Sequence, residues 1–107
     1  MAAYFVYFCH EFRDKKGHIA YSEAVKKTLE GIDFKIHVAY TKFEILEGDK
    51  NVSGVVIIEF PSFDIAKSWY DSQEYVAVRG HRIRNSYTGI LVEGGVTPLY
   101  ERFPNVS

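Results

Sequence analysis

Cysteine, methionine and tryptophan each occur once in this chain, and proline three times among 107 residues. A lone Cys9 excludes an intramolecular disulfide framework and suits a reducing compartment. No run of 18 apolar residues is present, which excludes a membrane-spanning helix. Met1-Ala2-Ala3-Tyr4 lacks the charged and then apolar pattern of a secretory leader, so a cytoplasmic location is expected. Excess charge is missing too. A net charge of −1 leaves neither the broad basic field of a nucleic-acid binder nor that of a membrane-surface protein. Gly-x-Gly-x-x-Gly, phosphate-loop and Gly-x-Ser-x-Gly patterns are absent. The histidines at 10, 18, 37 and 81 show no close ligand spacing, so neither a metal nor another cofactor is expected.

What the chain has in abundance is aromatic surface: eight Tyr, eight Phe and one Trp. One domain of this length buries roughly 65% of its unfolded surface. Seventeen large rings are hard to place in one such core, so some are expected to face a partner subunit.

The pattern along the chain predicts alternating elements. Ala3 to Cys9 is an aromatic and β-branched run of strand length, apolar on both faces. Asp14 is a candidate N-cap for a helix running to about Glu30, with Gly31 as its stop. That helix has a stripe of Tyr21, Val25 and Leu29, with His18 one turn earlier. Phe34, Ile36, Val38 and Tyr40 alternate with Lys35, His37 and Ala39, the period of a strand, and Phe43 to Glu47 reads as its continuation into a turn at residues 48–51. Val55 to Phe60 is the next strand and stops at Pro61. Ser62 then caps a helix carrying Phe63, Ala66, Trp69 and Tyr70, and Ser72 caps a further one to about Arg84. Tyr87 to Glu93 is the last strand.

The order βαββαβ with short connections predicts an α+β, ferredoxin-like domain over residues 1–95. Its four-stranded antiparallel sheet carries helices on one face only. Strands apolar on both sides require cover on the other face. A second copy of the sheet is the economical cover, giving a homodimeric α/β barrel. Residues 96–107 read as an irregular C-terminal arm carrying Leu99, Tyr100 and Phe103.

Several residues could carry chemistry. Glu59 is a carboxylate inside an otherwise apolar strand, which suits a general base unless it is ion-paired, with Arg79 or Arg82 for example, or sits at an exposed strand end next to Pro61. His37 lies on the neighbouring strand, and a His37–Glu59 couple would shuttle protons without a cofactor. Trp69 and Tyr70 either wall an aromatic pocket or fill the core. Tyr75, Arg79 and Arg82 share one side of the last helix. Two arginines three apart either clamp a carboxylate or phosphate or form a solvated basic face.

The segment Val56 to Tyr75, with its Glu59-Phe60-Pro61-Ser62, Ala66, Trp69-Tyr70, Ser72 and Glu74-Tyr75, carries a further signal. Together with Leu46-Glu47-Gly48 and Leu91-Val92-Glu93-Gly94, it resembles the bacterial "thirteen-thirty" family of domains of unknown function. Asp14 and Tyr21 fall where that family starts its first helix and places a helical tyrosine. The resemblance covers about residues 3–95. It implies the dimeric α/β-barrel superfamily, which includes cofactor-free monooxygenases, haem-degrading enzymes, a lactone isomerase and plain ligand binders. It assigns no catalytic residue. Two departures bear on a pocket: Asp33-Phe34 stand where the family favours paired glycines, and Tyr40-Thr41 where it favours glycine in mid-strand. Both should narrow a pocket.

The function expected is a homodimer binding a small organic molecule, an anionic one included. If the protein is catalytic, His37 or Glu59 would act as base in proton transfer or cofactor-independent oxidation. Trp69, Tyr70, Tyr75, Arg79 and Arg82 would then hold the ligand. The alternative is a non-catalytic binding or structural interaction module. A cavity of roughly 300 Å³ or more with converging polar groups separates the two.

Overall fold

A computed structural model of the chain describes residues 1–48, 51–83, 86–98 and 101. Seven elements follow in order: β1 (Ala3–Glu11), α1 (Lys15–Thr28), β2 (Lys35–Ala39), β3 (Gly54–Phe60), α2 (Phe63–Tyr70), α3 (Gln73–Ile83) and β4 (Ser86–Glu93). The strands form one antiparallel sheet in the order β2-β3-β1-β4, the ferredoxin-like arrangement expected from βαββαβ. The second helical unit is split in two at Asp71–Ser72. The stretch from Phe43 to Glu47 is not a strand, and the turn residues 49–50 and most of the C-terminal arm lie outside the described residues.

Local chemistry sets the helix starts. Asp14 Oδ1 accepts from Gly17 N–H at 2.9 Å, Ser62 Oγ from Ile65 N–H at 3.1 Å, and Ser72 Oγ from Tyr75 N–H at 3.2 Å. Each cap satisfies a donor with no partner inside its own helix. The first cap also depends on a glycine. A Cβ at Gly17 would lie 2.3 Å from Asp14 Oδ2 and 3.0 Å from the His81 carbonyl oxygen on α3. Gly17→Ala should therefore destabilise the fold by about 1 kcal/mol by urea unfolding. The lost cap, about 0.5–2 kcal/mol, and the forced approach to the His81 backbone carbonyl together outweigh the propensity gain of up to about 1 kcal/mol that alanine brings elsewhere in a helix.

Alternation along β1 sorts the sheet. Ala3, Phe5, Tyr7 and Cys9 are buried against the helices, and Tyr4, Val6, Phe8 and His10 occupy the opposite, open face. Cross-strand partners share a face, so Val55, Ile57 and Glu59 on β3 and Thr88, Ile90 and Val92 on β4 join them there. The strict alternation expected for β2 is broken. The register shifts between Ile36 and Val38, a bulge that sets both His37 and Val38 on the open face and returns Ala39 to the helix face.

Tyr40, just past β2, has φ +58°, the left-handed region that favours glycine. Its ring lies against Gly54, where an added Cβ would come within 2.5 Å of it. The position where the family resemblance implied glycine thus keeps a glycine-like backbone while carrying a large ring.

Candidate functional site

The core beneath the helices joins Phe5, Tyr7, Leu29, Phe60, Ala66, Trp69 and Tyr75. Among the described residues, one charged side chain enters this shell. Arg82, on α3, is only 7% exposed, and no carboxylate among the described residues pairs with it. Tyrosines surround it instead. Its guanidinium carbon lies 4.6 Å from the Tyr7 ring centroid, 5.2 Å from that of Tyr87 and 5.9 Å from that of Tyr21. The hydroxyls of Tyr75 and Tyr21 lie close to it as well. Burial works against its charge. The oxygens of Tyr75, Tyr7 and Tyr21 outweigh that and hold the guanidinium above its ordinary value. Cation–π contact is the attraction a buried guanidinium retains when no anion is near.

Two buried polar atoms in this cluster have no partner of hydrogen-bonding geometry among the described residues: Arg82 Nε and Tyr7 Oη. Both are donors at neutral pH. Burial, with the neighbouring Tyr75 and Tyr21, raises the Tyr7 pKa well above the ordinary phenol value. A buried donor without an acceptor costs roughly 1–3 kcal/mol, so two beside a cavity are a functional signal.

Cavities flank the cluster. A largely apolar one of about 460 Å³ lies between the sheet and α1, walled by Tyr21, Val25 and Leu29 of the α1 stripe, by Ile36 and Ile58, and by Arg82. His18, Tyr40 and Tyr87 line it as well. A second, of about 390 Å³, lies towards α2 and β4, with Lys67, Tyr70, Gly89 and Leu91 in its wall. Tyr7, Arg82 and Tyr87 border both.

Within the apolar cavity, Tyr87 Oη is 2.6 Å from Tyr40 Oη and 3.3 Å from His18 Nδ1. Phe12 and Tyr40 meet the His18 ring edge-on at centroid separations of 5.1 and 5.2 Å. Burial lowers the His18 pKa below 6.5, which leaves the imidazole neutral at pH 7.

The residues singled out from the sequence are distributed over two faces of the sheet. His37 and Glu59 meet, with Nε2 and Oε1 2.7 Å apart, beside Tyr4 on the open face. Glu59 therefore pairs with His37 and not with Arg79 or Arg82, and neither member of the couple lines either of these two cavities. A single substrate held by Arg82 inside the subunit does not reach it.

Trp69 lines neither cavity. Its Nε1–H donates to Thr28 Oγ1 at 3.0 Å and its ring packs on Tyr75 at 4.0 Å. Tyr75 is fully buried behind Arg82, with its hydroxyl 3.0 Å from that of Tyr21. Tyr70 lines the second cavity, and Arg79 sits 5.1 Å over its ring rather than joining Arg82 in a clamp. His10 binds Asn51 O and Thr88 Oγ1 on the open face, away from His18. Cys9 is a buried thiol whose pKa burial raises.

Sequence reading missed Tyr7, His18, Tyr40 and Tyr87 as site residues. His18 was visible as the start of the α1 stripe, and Tyr40 as a ring in a glycine position. For the other two, strand alternation marks only a face.

The fold and buried cluster define a ferredoxin-like α+β domain with cavities between sheet and helices. A match over residues 2–95 places the chain in the family described as domain of unknown function (DUF1330), and it belongs to that family. No curated protein matches the sequence.

Solved structures share the fold at low identity. A protein of unknown function from Rhodopseudomonas palustris superposes with a TM-score of 0.68 at 15% identity, over 91% of this chain and 84% of that one. A dimeric ferredoxin-like protein of unknown function from Thermobifida fusca gives 0.57 at 9%, over 88% and 92%. SnoaB, a cofactor-independent oxygenase from Streptomyces nogalater, gives 0.54 at 12%, over 90% and 94%. No helix among the described residues is long and apolar enough to cross a membrane.

Proposed function

We propose that this protein is a homodimer in which each subunit binds one small organic molecule. The ligand combines an apolar body with an oxygen that carries, or can take on, negative charge. The body occupies the cavity between the sheet and α1, and the oxygen accepts from Arg82 Nε and Tyr7 Oη. One observation carries this reading: Arg82 and Tyr7, each with a buried donor that lacks an acceptor among the described residues, line a cavity of about 460 Å³. A volume within the roughly 300–1,000 Å³ of known ligand sites and a few convergent polar groups are what such a site needs. A buried guanidinium without a carboxylate supplies the charge, and its planar fork suits an oxyanion.

2-Naphthoate is a suitable probe, with a bicyclic body and one carboxylate. It should raise the Tm of the wild-type protein, while 2-methylnaphthalene should raise it less. Arg82→Met should abolish the difference while keeping the far-UV circular dichroism of the fold. Equal stabilisation of Arg82→Met and wild type by 2-naphthoate would remove Arg82 from the site.

A further inference from the structure

Beyond binding, the same cavity holds a base. We infer that His18 is the general base of a proton-transfer site whose substrates are compact, largely apolar carbonyl compounds with an acidic C–H beside the carbonyl. The site resting on Arg82 and Tyr7 would serve as its oxyanion hole. The inference depends on the binding reading above and names the substrate class for that site.

Tyr87 joins the two halves. The Arg82 guanidinium stands 5.2 Å over its ring, and its hydroxyl contacts His18 Nδ1. The shorter of the two bonds made by Tyr87 Oη runs to Tyr40 at 2.6 Å. We assign the Tyr87 proton to that shorter bond; Nδ1–H then donates to Tyr87 and the lone pair of the imidazole sits on Nε2. The hydrogen bond on one ring nitrogen thus fixes which nitrogen is the base. Phe12 and Tyr40 hold the ring edge-on, and its burial keeps it neutral and able to accept a proton. Tyr40 is itself held in a left-handed backbone conformation, the kind of local strain that clusters at ligand sites.

The step balances without any co-reactant. The α-carbon C–H bond breaks and its proton moves to His18 Nε2. The C–H electron pair forms the enolate C=C, and the carbonyl π pair moves onto oxygen. Arg82 Nε–H and Tyr7 O–H donate to that oxygen as its charge develops, which is where preorganised donors contribute most. The proton then returns from His18 to the same carbon, giving exchange, or to another carbon of the conjugated system, giving an isomer.

2-Tetralone is the probe. Its displacement of 2-naphthoate reports entry, and loss of its α-proton NMR signal in deuterated buffer reports the chemistry. Wild-type protein should exchange that proton faster than buffer, and His18→Gln should lower the protein-dependent rate about 10²-fold or more while still binding 2-naphthoate. The wild-type rate should fall as pH drops through the His18 pKa, which lies below 6.5. The other titratable groups lining the cavity are Tyr7 on β1, Tyr21 and Lys26 on α1, Tyr40 after β2, Arg82 on α3 and Tyr87 on β4. Histidine is the side chain whose charge changes between about pH 5 and 8.

Exchange at the buffer rate, no displacement of 2-naphthoate by 2-tetralone, or an unchanged rate in His18→Gln would each overturn the inference. Failure of 2-naphthoate to bind the wild type is a different result, and removes the binding reading itself.

Discussion

Trp69→Ala should lower the free energy of unfolding by about 3–5 kcal/mol, the usual cost of removing a large ring from a packed core. Trp69 is 3% exposed and packs against Phe5, Phe60 and Tyr75 at centroid separations of 5.6, 5.3 and 4.0 Å. Its Nε1–H also donates to Thr28 Oγ1 at the end of α1, so one side chain ties α2 to α1 and both to the sheet. Removing it leaves a void and strips Thr28 of a partner. Total stabilities of about 5–15 kcal/mol make such a loss severe. Urea unfolding followed by far-UV circular dichroism measures it, since the variant has no tryptophan left to fluoresce. Trp69→Phe should recover much of the packing and lose the hydrogen bond. A loss under about 1 kcal/mol for Trp69→Ala would show that the helices do not depend on this ring.

The fold was legible because its signals are local. Asp14, Ser62 and Ser72 announce three helix starts through bonds to residues three positions on, and Pro61 ends β3 by removing a donor. The βαββαβ order then leaves few topologies. The candidate site was legible only in part, because it depends on register and on which of several equivalent residues faces inward. Arg79 and Arg82 occupy similar helical positions, yet Arg82 is buried among tyrosines and Arg79 rests on the outside of Tyr70.

The adjacency of His37 and Glu59 followed from neighbouring strands. Their meeting depends on a bulge that no composition marks, since its cause lies in the pairing with β3. His18 read as the first turn of a core stripe. Its hydrogen-bond partner Tyr87 is 69 positions away in sequence and brought near only by the closing of the sheet. Local bonds are written in short patterns, whereas sites assembled across elements are written in the tertiary packing.

Ile57→Lys should convert the proposed dimer into monomers. Ile57 sits on the open face opposite Val6 of β1 and Val38 of β2. Around it lie Phe8, Val55, Ile90 and Val92, the last two 47% and 46% exposed. The apolar rows run between the His37–Glu59 pair and the His10–Thr88 pair, and exposed apolar rows of this kind mark an interaction surface. A second copy fits this surface, because its strands present the same apolar rows and a two-fold axis sets each row against its equivalent. The Thermobifida fusca protein of this fold is described as dimeric.

On a two-fold interface one substitution enters twice. Each lysine would lose several kcal/mol of hydration without a partner, and about 1.4 kcal/mol is a tenfold change in Kd. Two buried lysines thus weaken the dimer by at least about 10³-fold. Light scattering on a sizing column should give wild type at the mass of two chains and Ile57→Lys at one, with unchanged circular dichroism. The 2-naphthoate site lies on the other side of the sheet, so Ile57→Lys should still bind the probe. A wild-type monomer, or an Ile57→Lys dimer, would mean that copies do not meet through this face. The apolar rows of Val6, Phe8 and Ile90 would then need a partner of different sequence.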